Sequence, residues 1–331
     1  MRVLLTAWLL IAAAPVEAHE GWGIVSTPGG PIFFTDTLRG IVWRLDPGGA
    51  VRDVLRDTHT HALVTIGDGS VYGTHRHPSE PFGGVWRLDA DGRLHTLLPP
   101  TRDIALGLRS FLIDSDGTMY SGIRWAPADR FTLLRRRVDG IIERVAGGFS
   151  SIDGMAWAPD GAIFVTDGPY LKRVTLTGDV ETLGGGPLSA PRGSADSPWR
   201  SAATRRLIGV TTDGSGGAFV ADFAGRRILD VGRLSGVAVD YVSNAPWSPT
   251  GVARDAEGLL VLEHLQGPWS ILGRVQVGPY LRVRRLGLKG RVDTLAVLWG
   301  TWSWIAAAAL LGLTGAVVAW RLRANHVRGR P

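Results

Sequence analysis

One phrase recurs along the chain: a strand of small residues, a turn anchored on glycine, then a second apolar strand. Its clearest copy is Ile152-Asp153-Gly154-Met155-Ala156-Trp157-Ala158-Pro159-Asp160-Gly161-Ala162-Ile163-Phe164-Val165-Thr166-Asp167, with versions around Gly29-Gly30, Asp68-Gly69, Asp116-Gly117, Gly216-Gly217 and Glu257-Gly258. A unit of about 40 to 55 residues built from short strands cannot bury its own apolar face; copies arranged in a ring can. The spacing predicts an all-β fold, a six-bladed β-propeller. In the fourth unit the strands are expected at Gly154 to Ala158, Ala162 to Thr166, Leu171 to Leu176 and Val180 to Leu183.

The ends of the chain read differently. Arg2, the apolar run Val3 to Ala14, and Val16-Glu17-Ala18 form a signal peptide over residues 1–18, leaving His19 as the mature N-terminus. Val283 to Leu295 (VRRLGLKGRVDTL) aligns with Leu171 to Leu183 (LKRVTLTGDVETL), so the propeller is expected over 19–295. Ala296 to Trp320 carries no charged residue. As a helix it is about 37 Å long, enough to span a bilayer. Trp299, Trp302, Trp304 and Trp320 sit near its ends and Arg321, Arg323, Arg328 and Arg330 follow. Aromatic belts and a basic cytoplasmic tail (321–331) are the marks of a single transmembrane helix over 296–320. A type I protein of the bacterial inner membrane is expected, with its propeller on the periplasmic side.

Composition supports export. Cysteine is absent, so the fold must stand on packing without disulfides. The net charge of +6 is gathered at the C-terminal tail and at Arg282, Arg284, Arg285, Lys289 and Arg291. Anionic lipid head groups therefore suit it better than nucleic acid. Arg284, Arg285, Lys289 and Arg291 are expected at the membrane surface, and a lipid-derived ligand or a neighbouring membrane protein is the expected partner.

Trp43 and Trp86, on outer hairpins, are expected to pack between blades, and Asp36, Asp167 and Asp222, each closing a second strand, to cap turns. Aligning the units on their turns places Trp22, His61, Arg109, Asp153, Ile208 and Thr250 at the mouth of the central channel. The loops between second and third strands bring His75 and His77 to the same face, with Glu263 and His264 from the sixth unit; His19 and Glu20 enter there too. Convergent imidazoles, carboxylates and a guanidinium mark a ligand site. His59 and His61 share a strand face through their period of two, so both can approach one metal, as can His75 and His77.

The fifth unit, with Gly193-Ser194-Ala195-Asp196 and Gly217-Ala218-Phe219-Val220-Ala221-Asp222, resembles NHL-repeat propellers. The fourth is similar to the senescence-marker, gluconolactonase and luciferin-regenerating-enzyme family, whose motif reads P-N-G-x-A-W-x-P-D-G. That resemblance implies a divalent metal (Ca, Mn or Zn) in the mouth and hydrolysis of lactones or related esters. Glu20-Gly21 resembles the family's E-G-P phrase and Asp153 takes the place of its Asn, but Ile208 stands where its later Asp ligand belongs. An aliphatic side chain cannot coordinate a metal, which leaves His61 or His264 as substitutes. With that incomplete set, a ligand- or protein-binding module is the leading expectation. The metal-dependent hydrolase is the alternative. A second alternative is Cu(II) held by the amine and imidazole of His19, with His61 or His264 as a third nitrogen.

Overall fold

The computed structural model describes residues 21–76, 83–101, 109–125, 130–185, 206–232, 236–265, 279–287 and 290–300. They form six four-stranded antiparallel sheets, each taken from consecutive strands. The first is β1 (Ile24–Ser26), β2 (Ile32–Asp36), β3 (Ile41–Leu45) and β4 (Val51–Leu55). The second is β5 (Leu63–Thr65), β6 (Val71–Arg76), β7 (Gly83–Leu88) and β8 (Leu94–Thr101). The third is β9 (Phe111–Ile113), β10 (Met119–Trp125), β11 (Arg130–Arg136) and β12 (Ile142–Phe149). The fourth is β13 (Met155–Trp157), β14 (Ile163–Asp167), β15 (Tyr170–Val174) and β16 (Val180–Gly185). The fifth is β17 (Leu207–Thr212), β18 (Ala218–Asp222), β19 (Arg227–Gly232) and β20 (Gly236–Val242). The sixth is β21 (Trp247–Arg254), β22 (Gly258–Leu265), β23 (Pro279–Gly287) and β24 (Val292–Trp299). The innermost strands β1, β5, β9, β13, β17 and β21 touch in cyclic order, and β21 meets β1. The expected six-bladed propeller is the fold.

Burial explains the sequence texture. Second strands lie between neighbouring blades, so β2 (IFFTD) and β14 (IFVTD) are buried at every position, while the outer strand β16 (VETLGG) is mostly exposed. A strand packed on both faces reads as a continuous apolar run, and an outer one does not. The clusters lie between blades. Ile24, Phe34 and Leu45 of the first sheet pack with Leu260, Leu262 and Leu281 of the sixth. Trp86 is buried with Phe33, Val42 and Leu63 across the first two sheets, and Trp43 packs at the seam of the first and sixth, the inter-blade role expected of both.

The glycine turns lie at the end of the inner strands farther from the mouth. In the fourth sheet the Ala158 amide donates to Ala162 O, and Gly161 takes φ +80, a conformation that a side chain resists. The Thr-Asp pair ending β2 and β14 works at the opposite end. Thr35 Oγ1 accepts from the Gly23 amide at 3.1 Å and Thr166 Oγ1 from the Gly154 amide at 2.7 Å, extending the ladder where the inner strands fray.

One boundary is corrected. β24 pairs with β23 as far as Trp299↔Pro279, so the sixth blade continues four positions past Leu295. Ala296 to Trp299 belong to the sheet because Ala296 is buried in the core against β23 and the ladder continues beyond it. The uncharged run that can leave the sheet therefore begins at Gly300. Among the described residues no helix is long and apolar enough to cross a membrane. Residues 1–18, His19, Glu20, and 301–331 lie outside the described residues.

Candidate functional site at the mouth of the channel

Trp22, His61, Arg109 and Asp153 each stand two residues before the first residue of an inner strand, at the same end of four successive blades. Ile208 and Thr250 fall inside β17 and β21, at bulges between Leu207 and Val210 and between Pro249 and Gly251. Four of the six positions read from the repeats therefore hold equivalent places, and their side chains differ in what they present.

The Thr58-His59-Thr60-His61 run makes the richest sector. Strand-like alternation puts its threonines on one side and its histidines on the other. Thr58 Oγ1 and Thr60 Oγ1 are 2.9 Å apart, and Thr60 Oγ1 donates to Thr74 O at 2.7 Å, anchoring the run on β6. On the other side His59 Nε2 and His61 Nε2 are 2.9 Å apart, with the rings edge to face. One nitrogen donates and the other accepts, so a hydrogen bond joins the two rings. The Trp22 indole stacks on His61 with centroids 4.7 Å apart, and the Trp22 amide donates to His61 O at 3.1 Å. His61 is 2% exposed. His75 Nδ1, from β6, lies 2.8 Å from Thr58 Oγ1, placing a third imidazole beside the run. His77, His19 and Glu20 lie outside the described residues.

Across the channel, Arg109 Nη1 stands 3.8 Å from Asp153 Oδ1. Asp153 is buried and Arg109 is half exposed, so the guanidinium is the part of the pair open at the mouth. Ile208 is fully buried, and its carbonyl accepts from Thr166 Oγ1 at 3.0 Å. Thr250 is fully buried and donates to Leu262 O, which makes it part of the wall and not of the mouth.

The sixth blade contributes less than its residues promise. Glu263 and His264 lie in β22, both buried. Glu263 is ion-paired with Arg282 Nε and accepts from Tyr241 Oη at 3.4 Å. Arg282 in turn reaches Asn244 Oδ1 at 2.8 Å and stacks over Trp247 at 4.2 Å. This group welds the fifth blade to the sixth. Asp36 and Asp222 cap turns as expected, accepting from the Arg39 and Gly225 amides, whereas Asp167 ties down the β12–β13 connection by accepting from the Ser150 and Ser151 amides. Burial alone would raise the Asp167 carboxyl; Lys172 at 2.5 Å and Ser150 outweigh it and hold it below the usual carboxylate range.

Below the mouth the channel narrows to a cavity of about 40 Å³, lined by Trp22, Gly23, Ala62, Phe111, Gly154 and Gly209 among others. That is room for about one water. Trp22 Nε1 is buried without a hydrogen-bond partner among the described residues. A larger groove of about 220 Å³ lies at the opposite face between the first and sixth blades, where Arg285 pairs with Asp255 at 2.6 Å and also with Glu257.

The arginines expected at the membrane surface are paired within the fold. Arg285 and Arg291 flank the β23–β24 turn, which lies at the end of the blade away from Trp299 and from the mouth. Arg291 pairs with Asp293 at 2.8 Å, and Arg284 donates to Tyr241 Oη at 2.7 Å from the middle of β23. Lys289 lies outside the described residues. These arginines cannot dress the mouth, because antiparallel pairing sends their turn to the other face.

The oxygen-rich metal set implied by the resemblance does not fit the described residues. Ile208 offers no side-chain ligand, Asp153 faces a guanidinium, and no three His, Asp or Glu come together as a metal-holding group among the described residues. The residues that the sequence undervalued are His59 and Thr58. The Thr-His-Thr-His alternation is the signal that finds them.

No family model matches the chain, and no curated protein matches it. Solved structures do. A gluconolactonase from Xanthomonas campestris superimposes with a TM-score of 0.56 at 14% identity, covering 73% of this chain and 83% of that one. A luciferin-regenerating enzyme gives 0.54 at 15% identity, covering 73% and 83%. A calcium-binding regucalcin from Agrobacterium tumefaciens gives 0.50 at 16% identity, covering 73% and 81%. At such identity the likeness is one of fold, the fold expected from the fourth repeat.

Proposed function

We propose that the mouth is a small-molecule site that hydrolyses lactones or related esters, with the His59–His61 pair as its base. The observation that carries this reading is the 2.9 Å contact between the two Nε2 atoms beside Trp22 and above the narrow channel. The two rings orient each other, and a nitrogen of His59, the more exposed of the pair, serves as the base. That nitrogen takes a proton from water as the oxygen adds to the carbonyl carbon. The carbon–oxygen bond to the leaving alkoxide then breaks, and the imidazolium returns the proton to the alkoxide. Arg109 supplies positive charge for the oxyanion or for a carboxylate on the substrate. The similarity in fold to a gluconolactonase and to a luciferin-regenerating enzyme supports this over simple binding.

The test is proton release from a panel of lactones and aryl esters by the full-length chain in detergent. His61→Ala and His59→Gln are each expected to lower kcat/KM by about a hundredfold or more, with a pH profile that loses its acid limb. Unchanged turnover in both variants would remove the imidazole pair from the mechanism. The second reading is a ligand-binding module, favoured by Ile208 at the family's carboxylate position. It becomes the better account when no ester is turned over but a lactone still binds and protects the protein against heat.

A further inference from the structure

We infer that the mouth of the propeller lies against the membrane surface, seated on anionic head groups, so that its ligand arrives from the lipid side. The inference extends the proposed site and rests on Gly300 to Trp320 spanning the bilayer, an uncharged run of sufficient length. Each inner strand runs away from the mouth and the next returns, so every fourth strand ends on the mouth face. β24 ends there at Trp299, paired with Pro279 where β23 begins. Arg39, from the β2–β3 turn on that face, donates to Trp299 O at 3.3 Å. The chain therefore leaves the fold from the mouth side, with its exit held to the first blade. Trp299 is 52% exposed at this point.

Charge is divided between the faces in the same sense. On the far face arginines and acids are matched: Arg87 with Asp68, Arg137 with Asp139, Arg173 with Asp160, Arg291 with Asp293. On the mouth face the acids Asp36, Asp153, Asp167, Asp222 and Glu263 are buried and Asp57 is exposed, and the exposed arginines there include Arg109, Arg124 and Arg130. Those three belong to the third blade, diametrically across the ring from the exit at the sixth. One edge is tied down covalently and the opposite edge carries the cations, so a negatively charged surface holds the disc flat. The exposed apolar side chains of Tyr170 and Val242, at the mouth ends of β15 and β20, complete the face.

The chain contains no cysteine, so single labels can be placed without background. Full-length protein carrying a fluorophore at Tyr170→Cys, Val242→Cys or Val138→Cys is reconstituted into phosphatidylcholine–phosphatidylglycerol vesicles bearing a head-group quencher. Val138, 67% exposed on a far-face turn, is the reference. The labels at 170 and 242 are expected to be quenched several-fold more than the label at 138. Replacing Arg124 and Arg130 with Glu should abolish that difference in vesicles rich in phosphatidylglycerol. Equal quenching at all three sites, stronger quenching at 138, or failure of the chain to float with the vesicles overturns the inference. None of these readouts requires turnover, so the hydrolase reading can fail while this one stands, and the reverse.

Discussion

At the scale of single residues, carboxylates show how position decides role. Asp36, Asp153, Asp167 and Asp222 are all buried at the mouth, yet three of them are absorbed by turn amides and cations. Asp114, at the far-face turn between β9 and β10, is the strained one. Burial and its hydrogen bond with Asp116 push its carboxyl up to about 6, while Asp116 is held down at about 2. A carboxyl whose pKa is raised in the folded state favours folding at pH below its ordinary value, and that advantage is lost as pH climbs through about 6. Asp114→Asn keeps the Oδ1 acceptor for the Thr118 amide, 2.9 Å away, and cannot ionise. Its Tm is expected to exceed that of the wild type at pH 7.5 and to match it at pH 4. Thermal melts at the two pH values decide; a gain confined to pH 4 would show the sign to be wrong.

At the scale of strands, the repeats made the blades legible because periodicity survives drift in individual residues. The mouth positions followed from the same alignment. What could not be read was which mouth side chains face one another, since Arg109 and Asp153 or Trp22 and His61 meet across blades, forty residues or so apart in a repeat of this length. The residue after each mouth position is also small, for a reason visible only in the ring. A Cβ on Gly251 would stand 2.3 Å from Trp22 O in the next blade, and one on Gly154 would stand 2.0 Å from Ile208 O. Inner strands crowd at the axis, so backbone sits where a side chain would be. Gly251→Ala is expected to destabilise by about 1–3 kcal/mol through overpacking. Gly48→Ala, with nothing within 4 Å of the added atom, should be close to neutral. Urea unfolding of both variants compares them directly, and equal losses would mean that the seam has more slack than its backbone distances allow.

At the scale of the whole molecule, the question is how the ring stays shut. Among the described residues every sheet is completed by consecutive strands, and none takes strands from both ends of the chain. Closure falls to side chains at the seam between the sixth and first blades. Tyr280 Oη donates to Asp36 Oδ2 at 2.6 Å, Trp43 Nε1 reaches the same oxygen at 3.4 Å, and Arg39 lies 4.2 Å over the Tyr280 ring. Burial pushes the Tyr280 hydroxyl well above its ordinary pKa, so it remains a donor at every physiological pH. This latch was hidden from the sequence because Asp36 and Tyr280 are brought together only by cyclic closure; Asp36 read alone was a turn cap, which it also is. Asp36→Ala leaves a buried phenol and an indole without their acceptor, at a cost of about 1–3 kcal/mol for each group so orphaned. Tyr280→Phe removes one donor and leaves Asp36 with the Arg39 amide and Trp43, so its loss should be smaller. The expected signature is local as well as global. In Asp36→Ala, amide hydrogen exchange should quicken first in β1, β2 and β24, while β10 and β14 keep their protection until global unfolding. A uniform rise in exchange across all six blades would mean that the ring opens as one unit and that the seam is no weaker than the other blade contacts.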